Sequence, residues 1–148
     1  MSAIKQQALF DAPVTDVWGL LESPEEFAKW NTEIEVTGVP TKIEKGSTFE
    51  LTAPGRFGMQ STTTFKVEEL DELHEIKLRC QQSGFYSHWV LTEARGDTFA
   101  EIEYGVEPVP GFEGRARRMM ITKRYLRQVL GRNLDALRRA LSRSGEPS

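Results

Sequence analysis

GRARRMMITKRYLRQVLGRNLDALRRALSRS, residues 114 to 144, sets leucines at helical spacing inside a dense run of arginine. Drawn at about 100° per residue, Met119, Leu126, Leu130, Leu134, Leu137 and Leu141 fall in one stripe. Arg117, Arg118, Arg124, Arg132, Arg138 and Arg139 fall mostly away from it. The spacing predicts a helix from about Glu113 to Ser142, with Leu126, Leu130 and Leu137 buried and Arg124, Arg132 and Arg139 exposed. Between Glu113 and Arg143 ten Lys or Arg meet two acidic residues, a local charge of +8 against −11 elsewhere and −3 for the whole chain. The positive charge is therefore chiefly the solvated face of an amphipathic helix, whose arginine stems also cover apolar surface. Three residues break the stripe: Arg115, Thr122 and Lys123 lie within about 60° of its centre, all in the first half of the segment. A first half that turns Arg, Met, Thr and Lys to the side where the second half turns leucine points to a cavity beneath it.

Upstream of this helix the period changes. From Glu33 to Glu107 apolar and polar residues alternate, and turn signals recur at Gly38 to Pro40, Lys45 to Gly46, Pro54 to Gly58, Asp71 to Leu73, Ser83 to Gly84 and Arg95 to Asp97. About six strands with short connections imply an antiparallel meander. In EIKLRC the set Ile76, Leu78, Cys80 faces inward, and in TFAEIEYGVE the set Ala100, Ile102, Tyr104, Val106 does so against Glu101, Glu103 and Glu107. Phe49, Leu51, Ala53, Phe65, Val67, Met59, Trp89 and Leu91 join the inner face by the same alternation, which leaves His88 outside.

The front of the chain adds a strand at IKQQALFD, residues 4 to 11, and a helix from Pro13 to Leu21 with proline near its first position. SPEEF announces a second short helix, capped by Ser23 and ending near Trp30 and Asn31.

Composition bounds the functional classes. The 148 residues are 39% hydrophobic and 28% charged, those of one soluble globular domain, with an ordered core of about residues 3–143 and a polar SRSGEPS tail. An acidic pI near 5.5 argues against nucleic acid as the main partner. The lone Cys80 rules out an internal disulfide and a zinc cluster, and MSAIKQQALF lacks a signal-peptide layout, so a cytoplasmic location is expected. No apolar run approaches the roughly 20 residues of a membrane span, and membrane contact through the basic helix is not expected. No Ser-His-Asp set, metal-ligand spacing, phosphate loop or dinucleotide fingerprint appears, so no metal and no cofactor is expected.

With ALFDAPVTDVWGLLESPEEFAKW at its front, the order of elements resembles the START-like SRPBCC superfamily, and more narrowly its polyketide cyclase/dehydrase and lipid-transport family. The resemblance covers residues 3 to 143. It implies an α+β helix-grip fold, a curved antiparallel seven-stranded sheet wrapped round the long C-terminal helix, with two short helices after the first strand and a hydrophobic cavity between sheet and helix. Such proteins bind lipids, sterols, polyketides or plant hormones, and a minority catalyse cyclisation, dehydration or hydrolysis.

Eight residues are the candidate ligand contacts. Phe49, Met59, Trp89 and Met119 supply apolar wall, and Trp30 matches the Trp near the cavity mouth of relatives. Arg56, in the loop APGRFGM, can hold a carboxylate or enolate by paired hydrogen bonds. Tyr104 can donate from its phenol, and an inward Lys123 would need a ligand anion or another partner to offset desolvation. Three readings stand. The first is a carrier or sensor of a small, mainly hydrophobic molecule. The second is a polyketide aromatase/cyclase or dehydratase in which Tyr104 with Arg56 or Lys123 handles protons and oxyanions. The third is a protein-interaction module resembling the Hsp90-activator relatives, acting through the basic helix face.

Overall fold

The alternation in EIKLRC and TFAEIEYGVE belongs to a sheet covered on one face by apolar contacts and wetted on the other. The computed structural model describes residues 3–22, 35–37, 44–54, 60–81, 84–107 and 123–144. They form β1 (Ala3–Phe10), α1 (Val14–Glu22), β2 (Glu35–Thr37), β3 (Thr48–Pro54), β4 (Gln60–Asp71), β5 (Glu75–Cys80), β6 (Phe85–Ala94), β7 (Asp97–Val106) and α2 (Lys123–Ser144). The helix expected at SPEEF and the expected helical residues 113–122 lie outside the described residues. At its other end α2 runs to Ser144, two residues past the predicted stop.

The sheet has the order β1-β7-β6-β5-β4-β3-β2, antiparallel throughout. Six strands of six residues or more carry it, and the three-residue β2 adds to the β3 edge. From β2 to β7 every neighbour is the next strand in the chain, so the region is a meander. The turn between β6 and β7 shows why it closes so tightly. Arg95 and Gly96 both take positive φ, 54° and 86°, which matches the twist of the strands they join. Between Val67 and Glu69 the register of β4 against β5 shifts, a bulge that bends the strand and adds to the curvature of the sheet. The first strand, β1, closes beside β7, from Ala3 opposite Gly105 to Phe10 opposite Thr98. Thr98 Oγ1 donates to the carbonyl of Ala12 at 2.8 Å, which fixes the turn that leads into α1.

Both helices pack on the inner face. The four-residue steps of α2 bring Leu126, Leu130 and Leu137 to 0% exposure, and α1 adds Val17, Trp18 and Leu21. Arg124, Arg132 and Arg139 are exposed, as the stripe requires. The guanidinium of Arg138 lies 5.1 Å from the centre of the Phe10 ring and covers it from water.

The outer face is polar but knitted together. Lys77 Nζ reaches Glu107 Oε1 at 3.1 Å and Glu68 Oε1 at 3.7 Å, and Arg79 reaches Glu107 and Glu68, each at 3.3 Å. Tyr86 sits among them with Lys77 Nζ 4.9 Å from its ring centre, and its hydroxyl donates to Glu103 at 2.7 Å. Although Tyr86 points outward it is buried, because Gly105 opposite leaves room for the ring: a Cβ there would come within 2.6 Å of the tyrosine hydroxyl.

Three outcomes are expected. Leu137→Ala should lose about 2–5 kcal/mol in urea unfolding through the cavity it leaves, whereas the exposed Arg124→Ala should change stability by less than about 0.5 kcal/mol. For Glu107, partial burial favours the neutral acid, but hydrogen bonds and charge from Lys77, then Arg79, outweigh it and hold the carboxyl below its ordinary 4.5. A lowered folded-state pKa stabilises the protein above the unfolded-state value and ceases to do so as pH falls through the folded-state value. The stability gap between wild type and Glu107→Gln should therefore be full at neutral pH and shrink on acidification below about 4.5, measured by denaturant unfolding.

Candidate functional site

Aromatic residues form a row along one end of the inner face. Phe49 on β3 stands opposite Phe65 on β4, and their rings stack at 6.0 Å and 14°. Phe65 meets Phe85 on β6 edge-on at 6.5 Å, and Phe85 meets Tyr104 on β7 edge-on at 5.5 Å. Strand register makes this possible. Phe65 pairs with Cys80, the last residue of β5, and the turn at Gly84 then returns the chain so that Phe85 enters β6 at the same end. Gly84 takes φ of 80° there, and its N–H donates to the Cys80 carbonyl at 3.0 Å. Phe85 pairs with Val106, one inward step beyond Tyr104. The outer members of the row, Phe49 and Tyr104, are buried, while the middle members, Phe65 and Phe85, are partly exposed.

Tyr104 ends the row on a polar contact. Asn133 Nδ2, from α2, donates to the Tyr104 hydroxyl at 2.6 Å. Burial pushes the phenol up to about 12, although hydrogen bonds from Asn133 and Trp89 to its oxygen pull the other way. At neutral pH the Tyr104 phenol therefore stays protonated, able to accept and to donate a hydrogen bond.

Of the residues chosen from sequence, Phe49, Trp89 and Tyr104 are 5%, 3% and 2% exposed and sit within the inner-face core. Lys123, the first residue of α2, is exposed, so its charge needs no buried partner. The stripe continues through it in projection, but the buried part of α2 begins at Leu126, and an unpaired ammonium stays in water rather than being buried without a partner. Trp30, Arg56, Met59 and Met119 lie outside the described residues, as do Arg115 and Thr122. Sequence reasoning missed Asn133, although it carried a signal: Leu126, Leu130, Asn133 and Leu137 share one helical spacing, so a polar residue was due inside the apolar stripe. Phe85 was missed too, although FYSHWVL alternates and puts it on the same side as Trp89 and Leu91.

The histidines are held elsewhere. His74 Nδ1 lies 3.1 Å from the Leu91 carbonyl, and on the outer face His88 Nε2 lies 2.6 Å from Glu75 Oε2. Among the described residues no group of three His, Cys, Asp or Glu is placed to hold a metal. A groove of about 590 Å³ runs over the outer face past Lys5, Gln7, His88, Val90, Glu101 and Glu103, where Lys5 and Glu103 pair at 3.7 Å. No described helix is long and apolar enough to cross a membrane.

A curved antiparallel sheet whose apolar face grips the C-terminal helix is the architecture of the START-like proteins. The chain belongs to the polyketide cyclase / dehydrase and lipid transport family, which matches residues 1–142. No match is found among curated proteins. A crystal structure of a Chromobacterium violaceum protein is similar over 100% of both chains, with 14% identity and a TM-score of 0.76. The solution structure of an Arthrobacter aurescens protein aligns over 95% of this chain and 86% of its own, with 15% identity and a TM-score of 0.73. An AHSA1-like protein from Aeromonas hydrophila aligns over 97% of this chain and 94% of its own, with 15% identity and a TM-score of 0.70. At these identities the likeness is one of fold.

Tyr104→Phe removes the acceptor of the buried hydrogen bonds from Asn133 and Trp89 and should destabilise the protein by about 1–3 kcal/mol in urea unfolding. A loss near zero would show that the sheet and α2 are not joined through this bond.

Proposed function

We propose that the protein binds a small, mainly hydrophobic molecule on the inner face of the sheet, between it and α2, and acts as a carrier or sensor. The observation that carries this is the partial exposure of Phe65 and Phe85 in the middle of an aromatic row whose ends are buried. Two partly exposed phenylalanines at the edge of the inner-face core offer an apolar contact, and membership of a lipid-transport family supports the same reading. Phe49 and Tyr104 flank this surface, and Trp89 backs it. Trp30, Arg56, Met59 and Met119 are proposed further contacts on the residues' chemistry alone. The lone Cys80, buried, suits a reducing cytoplasm, where the protein would work as one START-like domain.

Polyketide cyclisation finds less support. Tyr104 keeps its proton to about pH 12, and His74 and His88 make their hydrogen bonds away from the aromatic row. Interaction with another protein is favoured by one observation, the exposed Arg124, Arg132 and Arg139 on the outer side of α2, and by the likeness to an AHSA1-like protein.

The test is a thermal screen with fatty acids, sterols, flavonoids and aromatic polyketides, preceded by native mass spectrometry for a co-purifying molecule. A ligand at a hundred times its dissociation constant should stabilise the native state by about 2.7 kcal/mol, a rise of several degrees in a chain of this size. Phe85→Ala should abolish the rise. A shift that survives Phe85→Ala would place binding elsewhere.

A further inference from the structure

The burial of α2 changes abruptly along one side of the helix. Lys123 lies seven residues before Leu130, two turns away and about 20° from it in projection, and Arg127 lies three residues before it, about 60° away. Leu130 is 0% exposed, yet Lys123 and Arg127 are both exposed. At Lys123 the inward side of the helix therefore meets solvent less than one turn before the buried Leu126, while Arg127 lies on the exposed flank of the stripe that Arg138 continues.

Two contacts show where that happens on the sheet. Arg138 lies over Phe10, which pairs with Thr98 at the start of β7, and Asn133 bonds Tyr104 near its end. Going backwards along α2 thus means going forwards along β7, toward Val106 and its partner Phe85. The turn from Lys123 to Arg127 lies about 9–15 Å beyond Asn133 at about 1.5 Å per residue. Continued in this direction, the helix points toward the end of the sheet where Phe85 and Phe65 are partly exposed. The ion pairs among the described residues belong to the sheet and the turns beside it, and none of them includes Lys123 or Arg127. Two cations without acidic partners among the described residues thus lie on the part of α2 that runs toward the partly exposed Phe85 and Phe65.

Resting on the binding function proposed above, we propose that Lys123 and Arg127 form the mouth of the inner-face site and select an amphipathic ligand with an anionic group. The carboxylate, sulfonate or phosphate stays at the mouth between the two cations, and the apolar body runs inward over Phe85 and Phe65. Arg127 contributes a planar fork suited to a two-oxygen anion, and Lys123 a mobile point charge. Arg124, one residue from Lys123 but about 100° round the helix, faces outward and has no part in the site.

Two naphthalene probes of nearly the same body separate these ideas: anionic 1-anilinonaphthalene-8-sulfonate and neutral N-phenyl-1-naphthylamine, each followed by fluorescence on protein whose near-UV circular dichroism is native. Wild type should bind both, and the sulfonate should weaken with added salt. Lys123→Ala and Arg127→Ala should each weaken the sulfonate about tenfold while changing the neutral probe by less than about twofold, and Arg124→Ala should change neither. All three residues are exposed, so the variants should melt with wild type. Equal sulfonate losses from Arg124→Ala and Arg127→Ala would overturn the mouth, since general surface charge would then suffice, as would unchanged sulfonate binding in Arg127→Ala. If wild type binds neither probe, the inner-face site itself fails and the mouth with it.

Discussion

The fold depends on the contact between the leucine stripe of α2 and the inner face of the sheet. A sheet with one apolar face has no stable existence in water until something covers that face. Here Leu126, Leu130 and Leu137 cover it from one helix, and α1 adds Val17, Trp18 and Leu21 beside them. Burying three leucines fully contributes roughly 1.5–3 kcal/mol each, which is large against a typical net stability of about 5–15 kcal/mol. The arginines between them complete the arrangement: they keep the opposite side of the helix in water, and Arg138 also shields the edge of the core at Phe10.

Within this apolar contact one polar bond fixes register. Leucines can slide over a sheet at modest cost, whereas any slide would break the buried hydrogen bond from Asn133 to Tyr104. The outer face solves a different problem. Lys77 and Arg79 project from β5 between Glu68 and Glu107, and the ring of Tyr86 fills the gap over Gly105, so the exposed side of a sheet covered on one face is stiffened by charge rather than by packing.

Much of this was legible in the residues. Period-two alternation placed Ile76, Cys80, Ala100, Ile102, Tyr104 and Trp89 inside, and period-3.6 spacing placed Leu126, Leu130 and Leu137 against them, because both patterns report a repeated local geometry. What the patterns could not report is the extent of the partner surface. Lys123 lies on the stripe in projection, but its burial depends on whether anything packs beneath it. Tyr86 breaks the alternation for a similar reason, since its cover comes from the absence of a side chain at Gly105 on the next strand. The candidate site was read less well than the fold: Phe49, Trp89 and Tyr104 were placed on the inner face, the partly exposed Phe85 beside them was passed over, and Trp30, Arg56, Met59 and Met119 fall outside the described residues.

The strand order also governs how the molecule assembles. From β2 to β7 every pairing joins consecutive strands, so hairpins can form one after another with small loops to close. By contrast β1 pairs with β7 across nearly the whole sheet in sequence, as Ala3 with Gly105 does, and α2 arrives later still in the chain. Long closures carry the larger entropic cost and are slower to form. The meander is the natural early structure, with its apolar face still open to water. The face that is last to be covered during folding is the same face proposed to hold a ligand, so a hydrophobic molecule present while the chain folds competes with α2 for a surface that the helix closes only at the end.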